Sequence, residues 1–385
     1  MVAIRKMKEC VTIPKFRVKR GDIICLLDLQ HSRCEMSNFL FARLDRFLEV
    51  NHHTLSSDLD KADVLVVNTC AVRDTIMHTI EAKILALISH DPTRKVIIIG
   101  CLAPLTERFS QTSALALINP DDIDRFTDYF ECDVPLRNID LVHKIGSREY
   151  QPKMTGADTY VLISQGCINN CSYCNIRFAK GYVKSRPLPE IVEEVTDLVR
   201  SEKYEITLLS DDCGSYGYDY DTNITELLSD LLDIDQRLNI KIYTIYPGLF
   251  IKRYPQFKEL IKANRITYIC IPIQSGSDRI LKLMNRNYNL NQIKSIIHEI
   301  RELNPNLHLF THFIFNFPTE TIEDLKKSVV LAQSFDSCIF IGYDDNKRTL
   351  ASKIGPKCSD DLYRVKVQLI QTELEKINGL QYKIL

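Results

Sequence analysis

Apolar residues fall in short runs separated by longer amphipathic stretches, and the two alternate along most of the chain. In the first part, β-branched runs at 22–28, 62–67 and 95–99 read as buried strands. Between them, 37–50 and 73–89 carry the spacing of amphipathic helices, and 104–110 follows as a third, shorter one. Continuous apolar strands alternating with helices predict an open parallel sheet in an α/β domain, over residues 1–146. The polar stretch 147–157, with Pro152 and Gly156, reads as a linker. From 158 to 354 the alternation resumes. Strands are predicted at 160–165, 205–210, 241–246, 267–274, 308–315 and 338–343, with helices at 189–201, 224–232, 256–263, 290–303 and 322–334. Six such units make a partial (β/α)6 barrel, whose chemistry belongs at the C-terminal strand ends. Residues 355–385 read as one closing helix at 359–378.

Composition narrows the class. With 385 residues, 45% hydrophobic and 26% charged, the chain is globular and long enough for two or three cores. A formal net charge of −1 leaves no overall basic field to draw in nucleic acid. A local basic excess (Arg5, Lys6, Lys8, Lys15, Arg17, Lys19 and Arg20 against Glu9) reads as a solvated face. The first residues lack an apolar signal core, and no run is long enough to span a bilayer. The expectation is a cytoplasmic protein with no membrane partner. An odd 13 cysteines in that setting point to metal chemistry rather than disulfides.

Two cysteine groups stand out. Cys167, Cys171 and Cys174 lie at CxxxCxxC spacing, directly after the strand predicted at 160–165. A closed zinc site wants four ligands, whereas three thiolates on one loop suit a [4Fe–4S] cluster that leaves one iron open. Cys34, Cys70 and Cys101 each follow a strand of the first domain, at intervals of roughly 30 residues, about one βαβ unit. Parallel strands end on one side of a sheet, so this trio is expected to gather at one edge and favours a second cluster. Cys10, Cys25, Cys132 and Cys358 read as small buried apolar residues, and Cys213 as a buried thiol beside the barrel rim.

Together these motifs resemble the radical S-adenosylmethionine (SAM) methylthiotransferase family. The resemblance runs from about residue 22 to 376 and rests on NTCAVR at 68–73, GCLA at 100–103 and QGC at 165–167 through Cys174. It extends to Gly181, SRP at 185–187, LSDDCGSYG at 209–217, PIQSGSD at 272–278 and MNR at 284–286. It implies an N-terminal parallel-sheet α/β domain followed by a radical SAM partial barrel. Cys167, Cys171 and Cys174 would hold the SAM-cleaving [4Fe–4S] cluster. Cys34, Cys70 and Cys101 would hold an auxiliary [4Fe–4S] cluster that carries the sulfur. One SAM would methylate that sulfur, and a second would give the 5′-deoxyadenosyl radical that abstracts hydrogen from an unactivated carbon. Around SAM, Tyr173 would lie against adenine, Ser210 and Asp211 would meet the ribose or amino group, Gln274 and Ser275 would end a strand there, and Arg286 would pair with the carboxylate.

The chain departs from the family pattern in several places. Arg33 replaces a glycine, NFPTET at 316–321 stands for GFPGET, and Asp344 through Arg348 replace a Pro/Gly-containing loop. Residues 355–385 leave no strand set for the small β-barrel (TRAM) domain that family members append. That expectation, the balanced charge, IYP at 245–247 and ISQGC at 163–167 favour a peptide or protein substrate. The alternative is a tRNA adenosine derivative, supported by NTCAVR and the basic N-terminal stretch. Further alternatives are a one-cluster radical SAM enzyme without sulfur transfer, and a non-catalytic iron–sulfur or zinc-binding module. A low-potential flavodoxin or ferredoxin is the expected electron donor.

Overall fold

The computed structural model describes residues 16–30, 34–71, 73–109, 114–139 and 159–385. The predicted linker at 147–157, Cys10 and Arg33 lie outside the described residues.

In the N-terminal unit, every residue of strand Val64–Thr69 is buried, as a central strand covered on both faces requires. Its alternate residues serve opposite layers. Val64 and Val66 pack with Phe41, Leu44, Phe47 and Leu48 of helix Glu35–Val50. Leu65 and Val67 pack with Met77, Ile80 and Ile84 of helix Asp74–His90. The sheet is wholly parallel, in spatial order Thr54–Leu55, Ile23–Asp28, Val64–Thr69, Lys95–Gly100, Leu115–Ile118. The chain therefore leaves Ile23–Asp28 in one direction and returns to the other side of it at Val64–Thr69. Such a reversal opens a crevice at the carboxyl ends of those two strands.

The N-terminal unit departs from the expectation in detail. Of the helix expected at 104–110, the described residues 104–109 form none; Pro104 supplies no backbone donor, and the segment closes in single turns such as Ala103 N to Gly100 O at 3.1 Å and Leu105 N to Leu102 O at 2.9 Å. The strand Leu115–Ile118 was not predicted, because four residues are too short to show a period.

The second unit is one open sheet of seven parallel strands, rather than six. Its order is Tyr160–Leu162, Glu205–Leu209, Asn239–Ile242, Ile266–Cys270, His308–Phe315, Ser337–Gly342 and Gln381–Ile384. The closing helix Asp360–Leu374 is shorter than expected. After it the chain turns at Gly379, φ +80°, and Gln381–Ile384 joins the edge beside Ser337–Gly342. The predicted strand 160–165 also divides. Ser164–Gln165 peels away from the sheet and pairs antiparallel with Lys184–Ser185, enclosing the cysteine loop between them. The helix expected at 256–263 begins at Pro247 and runs to Lys262 with Pro255 inside it, so that proline does not end the element as a pattern reading assumes.

The two units meet along a mixed seam. Met36 and Phe39 of the first pack with Tyr160, Leu162 and Leu209 of the second. Asp344 crosses the seam, accepting from Asp74 N at 2.9 Å and Thr75 Oγ1 at 2.6 Å at the start of helix Asp74–His90. Arg348 donates to the Leu105 carbonyl. The substituted loop Asp344 through Arg348 is thus an inter-unit contact. Among the described residues, no helix is long and apolar enough to cross a membrane.

Candidate functional site

The CxxxCxxC loop is pinned before it is liganded. Gly166 takes φ +80°, and a Cβ there would lie 2.5 Å from the Tyr182 carbonyl oxygen, so glycine is required at the loop's entrance. Ser172 N donates to Met284 O at 2.9 Å, Ser172 Oγ to Leu283 O at 2.8 Å, and Ala351 N to Ser172 O at 2.8 Å. Each sulfur meets a donor. Cys167 Sγ accepts from Asn169 N at 3.4 Å and Asn169 Nδ2 at 3.2 Å, Cys171 Sγ from Arg286 Nη1 at 3.4 Å, and Cys174 Sγ from Ile176 N at 3.4 Å. Burial pushes the Cys167 thiol up to about 12 and the Cys174 thiol higher still. A bound metal is what would hold them as thiolates. Among the described residues no three His, Cys, Asp or Glu side chains converge on a single ion. A cubane takes each thiolate on its own iron, so its ligands stand apart. The all-thiol donor set with hydrogen-bonded sulfurs fits such a cluster.

The second group comes from three elements. Cys34 is the N-cap of helix Glu35–Val50, while Cys70 and Cys101 directly follow Val64–Thr69 and Lys95–Gly100. Gly100, at φ +92°, leaves no room for a side chain against the Thr69 carbonyl. The topology brings the trio within electrostatic reach of one another at the crevice edge: Cys101 feels both Cys34 and Cys70. Burial pushes Cys101 to about 12. Beside it Asp28 accepts from Gln30 N at 3.2 Å and Asn68 Nδ2 at 3.1 Å, and Ser37 Oγ donates to Asn68 Oδ1 at 3.0 Å. This donor set fits a cluster on the same chemical grounds.

A polar rim borders the loop trio. Arg286 is buried; its Nη1 also reaches Tyr173 Oη at 3.2 Å, its Nη2 donates to Pro272 O at 2.5 Å, and the guanidinium stands 4.6 Å over the Tyr246 ring. The strand expected to run to Gln274 ends at Cys270; Gln274 takes φ +76° four residues beyond it, in an isolated bridge to Phe313. Gln165 Nε2, Gln274 Oε1, Arg286 Nε and His312 Nε2 are buried without a partner. Buried polar atoms are ordinarily paired, so these unpaired ones mark a place for a polar ligand and fit the amino-acid and ribose groups of SAM. The other predicted contacts already have protein partners. Ser210 Oγ shares a hydrogen bond with Ser164 Oγ at 2.7 Å, and Ser275 Oγ accepts from Ser277 N at 3.2 Å. Asp211 accepts from Gly166 N at 2.9 Å and from Lys180 Nζ at 2.7 Å.

Sequence reading missed four residues. Asp212 accepts from Asn169 Nδ2 at 2.8 Å, Ser215 Oγ at 2.6 Å and Tyr246 N at 2.9 Å, which aims Asn169 at Cys167. Asn175 Nδ2 donates to Ala71 O at 3.1 Å, next to Cys70. Lys180 is buried beside the second trio. His312 is held neutral, its pKa lowered to about 4 by burial and by Arg286. The doubled acid Asp211-Asp212 after a strand end was the one visible signal. Of the cysteines expected to be mere packing, Cys25 and Cys213 are buried, whereas Cys132 and Cys358 are half-buried.

Comparison with known proteins identifies the family. The radical SAM superfamily matches residues 161–332, and uncharacterized protein family UPF0004 matches residues 28–116. A probable threonylcarbamoyladenosine tRNA methylthiotransferase of Pyrococcus abyssi is 29% identical over 356 residues, 88% of this chain and 83% of the relative. A tRNA-2-methylthio-N(6)-dimethylallyladenosine synthase of Lawsonia intracellularis is 31% identical over 352 residues, 82% of this chain and 76% of the relative. A ribosomal protein uS12 methylthiotransferase of Natranaerobius thermophilus is 28% identical over 368 residues, 88% of this chain and 81% of the relative. Among solved structures, the radical SAM methyltransferase TsrM of Kitasatospora setae superposes with TM-score 0.56 at 11% identity, covering 86% of this chain and 77% of that one; this likeness shows the fold alone. A radical SAM barrel joined to a UPF0004 sheet, aligned over most of its length with curated methylthiotransferases, places this chain in the radical SAM methylthiotransferase family, enzymes that use SAM and a [4Fe–4S] cluster.

Proposed function

We propose that this enzyme installs a methylthio group on a modified adenosine of tRNA, and that it does so with two clusters. Residues 16–139 would form the sulfur-carrying unit and residues 159–385 the radical-generating unit. The observation that carries the substrate reading is the near full-length similarity to relatives whose names specify tRNA adenosine derivatives. It outweighs the features that favour a peptide, IYP at 245–247, ISQGC at 163–167 and the balanced charge among them; a formal charge of −1 describes the whole chain and not the surface around one loop.

That surface suits a base. Phe178 and Tyr182 are 53% and 49% exposed just beyond Cys174, and the Arg177 guanidinium stands 5.1 Å over the Tyr182 ring. Exposed rings with an interleaved arginine stack nucleobases whatever their sequence.

Cys167, Cys171 and Cys174 would hold one cluster and Cys34, Cys70 and Cys101 the other; bound there with SAM, they supply the abstraction of a hydrogen atom and the methylthio group. The protein's own part is placement. Arg286 orients Tyr173 and the Cys171 sulfur and offers its free Nε to a carboxylate. Gln274 and neutral His312 offer further hydrogen bonds at the rim. The buried seam of Met36, Phe39, Tyr160 and Leu162 packs against Cys34 and excludes water there, as a carbon radical requires. The electron would come from a low-potential flavodoxin or ferredoxin.

The test is an anaerobic reaction of the reconstituted enzyme with SAM, a strong reductant and tRNA bearing either adenosine derivative, followed by mass analysis of the nucleosides. A nucleoside that gains a methylthio group in place of hydrogen supports the reading. Turnover only of a ribosomal-protein peptide, in a parallel reaction, would transfer the activity to the branch represented by the uS12 relative.

A further inference from the structure

Lys180 and Asp211 form an ion pair at 2.7 Å whose side chains are only 4% and 5% exposed. Removing two charges from water contributes little net stability, so a pair held this deep calls for a use beyond folding. Its position suggests one. Lys180 ends the short helix Ile176–Lys180, which begins two residues after Cys174. Asn175, its N-cap, fastens that segment to Ala71 beside Cys70. The ammonium lies within electrostatic reach of Cys34 and Cys101. Asp211 spends its other oxygen on Gly166 N, immediately before Cys167. The pair therefore stands between the two cysteine groups, cation toward the N-terminal trio and carboxylate toward the entrance of the loop.

We propose that Lys180, aimed by Asp211, is a positioning residue for the N-terminal cluster: a fixed cation that stabilises the negative charge of that cluster's thiolates and bound sulfur, and so raises its reduction potential above what the dry site alone would allow. The physical basis is that cluster potentials follow net charge, hydrogen bonding and solvent exposure. A buried ammonium favours the more negative, reduced form, and in a low-dielectric seam it is little screened. The pair's geometry adds a specificity of place. A flexible lysine stem would wander, but both carboxylate oxygens of Asp211 are committed, one to Lys180 and one to backbone.

This inference rests on the two-cluster reading, and the experiment separates the two. The full chain carrying Cys167, Cys171 and Cys174→Ala is reconstituted with ferrous iron and sulfide, which leaves the N-terminal site alone loaded. Its iron content and its potential are then measured by a redox titration followed by electron paramagnetic resonance. Lys180→Met should shift that potential negative, Lys180→Arg should restore it, and Asp211→Asn, which leaves the cation uncompensated, should shift it positive. In the reciprocal background (Cys34, Cys70 and Cys101→Ala), Lys180→Met should move the loop cluster less. Equal potentials across the Lys180 and Asp211 variants, with iron retained, would reduce the pair to packing and overturn the proposal. Should Lys180→Met fail to hold iron, a positive shift in Asp211→Asn beside an unshifted Lys180→Arg still decides it. An absence of iron in the parent itself would instead remove the second cluster and leave Lys180 without its role.

Discussion

The two cysteine trios are chemically alike and built in opposite ways. Cys167, Cys171 and Cys174 share one loop, clamped at Gly166, Ser172 and Asn175. Cys34, Cys70 and Cys101 share nothing in sequence and meet only because parallel strands end on one side of a sheet. Their surroundings differ too. The loop sulfurs take short-range donors from Asn169, Ile176 and Arg286, whereas the strand-end trio faces one deep cation, Lys180. A site made from one loop is organised by local hydrogen bonds. A site made from three strands must import its charge from another unit, and here that unit is the short helix that leaves the first site.

The sharpest way to break this comparison is to remove each trio in turn. Replacing Cys167, Cys171 and Cys174 by Ala should abolish 5′-deoxyadenosine formation. Replacing Cys34, Cys70 and Cys101 should leave SAM cleavage but end methylthio transfer, with iron falling from roughly eight to roughly four per chain. Loss of SAM cleavage in both variants, with the fold intact, would mean that the trios do not act separately.

A smaller effect is expected at the loop's outer support. Arg286→Ala removes the donor to Cys171 and Tyr173, and such supporting contacts are worth about 10–100-fold in activity. Arg286→Lys should recover only part, since a point charge cannot serve sulfur, hydroxyl and carbonyl together. Steady-state kinetics in SAM would read this as a raised KM.

The rim also predicts a pH response. Folded His312 titrates near 4, below the free value of about 6.5, so the unfolded chain takes up a proton that the folded ring refuses. Stability should be full above about pH 6.5 and decline as pH falls toward 4, by on the order of 1–2 kcal/mol near pH 5. Denaturant titrations of the wild type and His312→Gln at both pH values would show it, the variant losing less.

The smallest effect tests the seam that holds the trios in register. Asp344→Ala removes the acceptor at the start of helix Asp74–His90, a cap worth about 1 kcal/mol, and should lower the denaturation midpoint accordingly. Transfer should fall more than SAM cleavage, because only transfer needs both units aligned.

Much of the fold was legible in advance because buried parallel strands are unbroken apolar runs: 64–69, 95–100 and 308–315 stand within two residues of their expected places. The misses share a cause. Gln381–Ile384 alternates exposed and half-buried residues and becomes a strand only because Ser337–Gly342 offers an open edge. Lys180 sits in FAKG, a stretch with nothing to separate it from a solvated surface lysine. Asp344 through Arg348, where the chain departs from the family's Pro/Gly-containing loop, dock on the neighbouring unit.

By itself the sequence determined what depends on neighbours along the chain: the period of each element and the spacing of Cys167, Cys171 and Cys174. Tertiary structure alone decided what depends on burial and on long-range approach. It brought Cys34, Cys70 and Cys101 to one edge, paired Lys180 with Asp211, and left Arg286 and His312 with unpaired nitrogens at the rim. Composition records that a charge exists, but its energy depends on how much water surrounds it and which counter-charge lies within a few ångströms. Both are set by the packing of segments far apart in the chain.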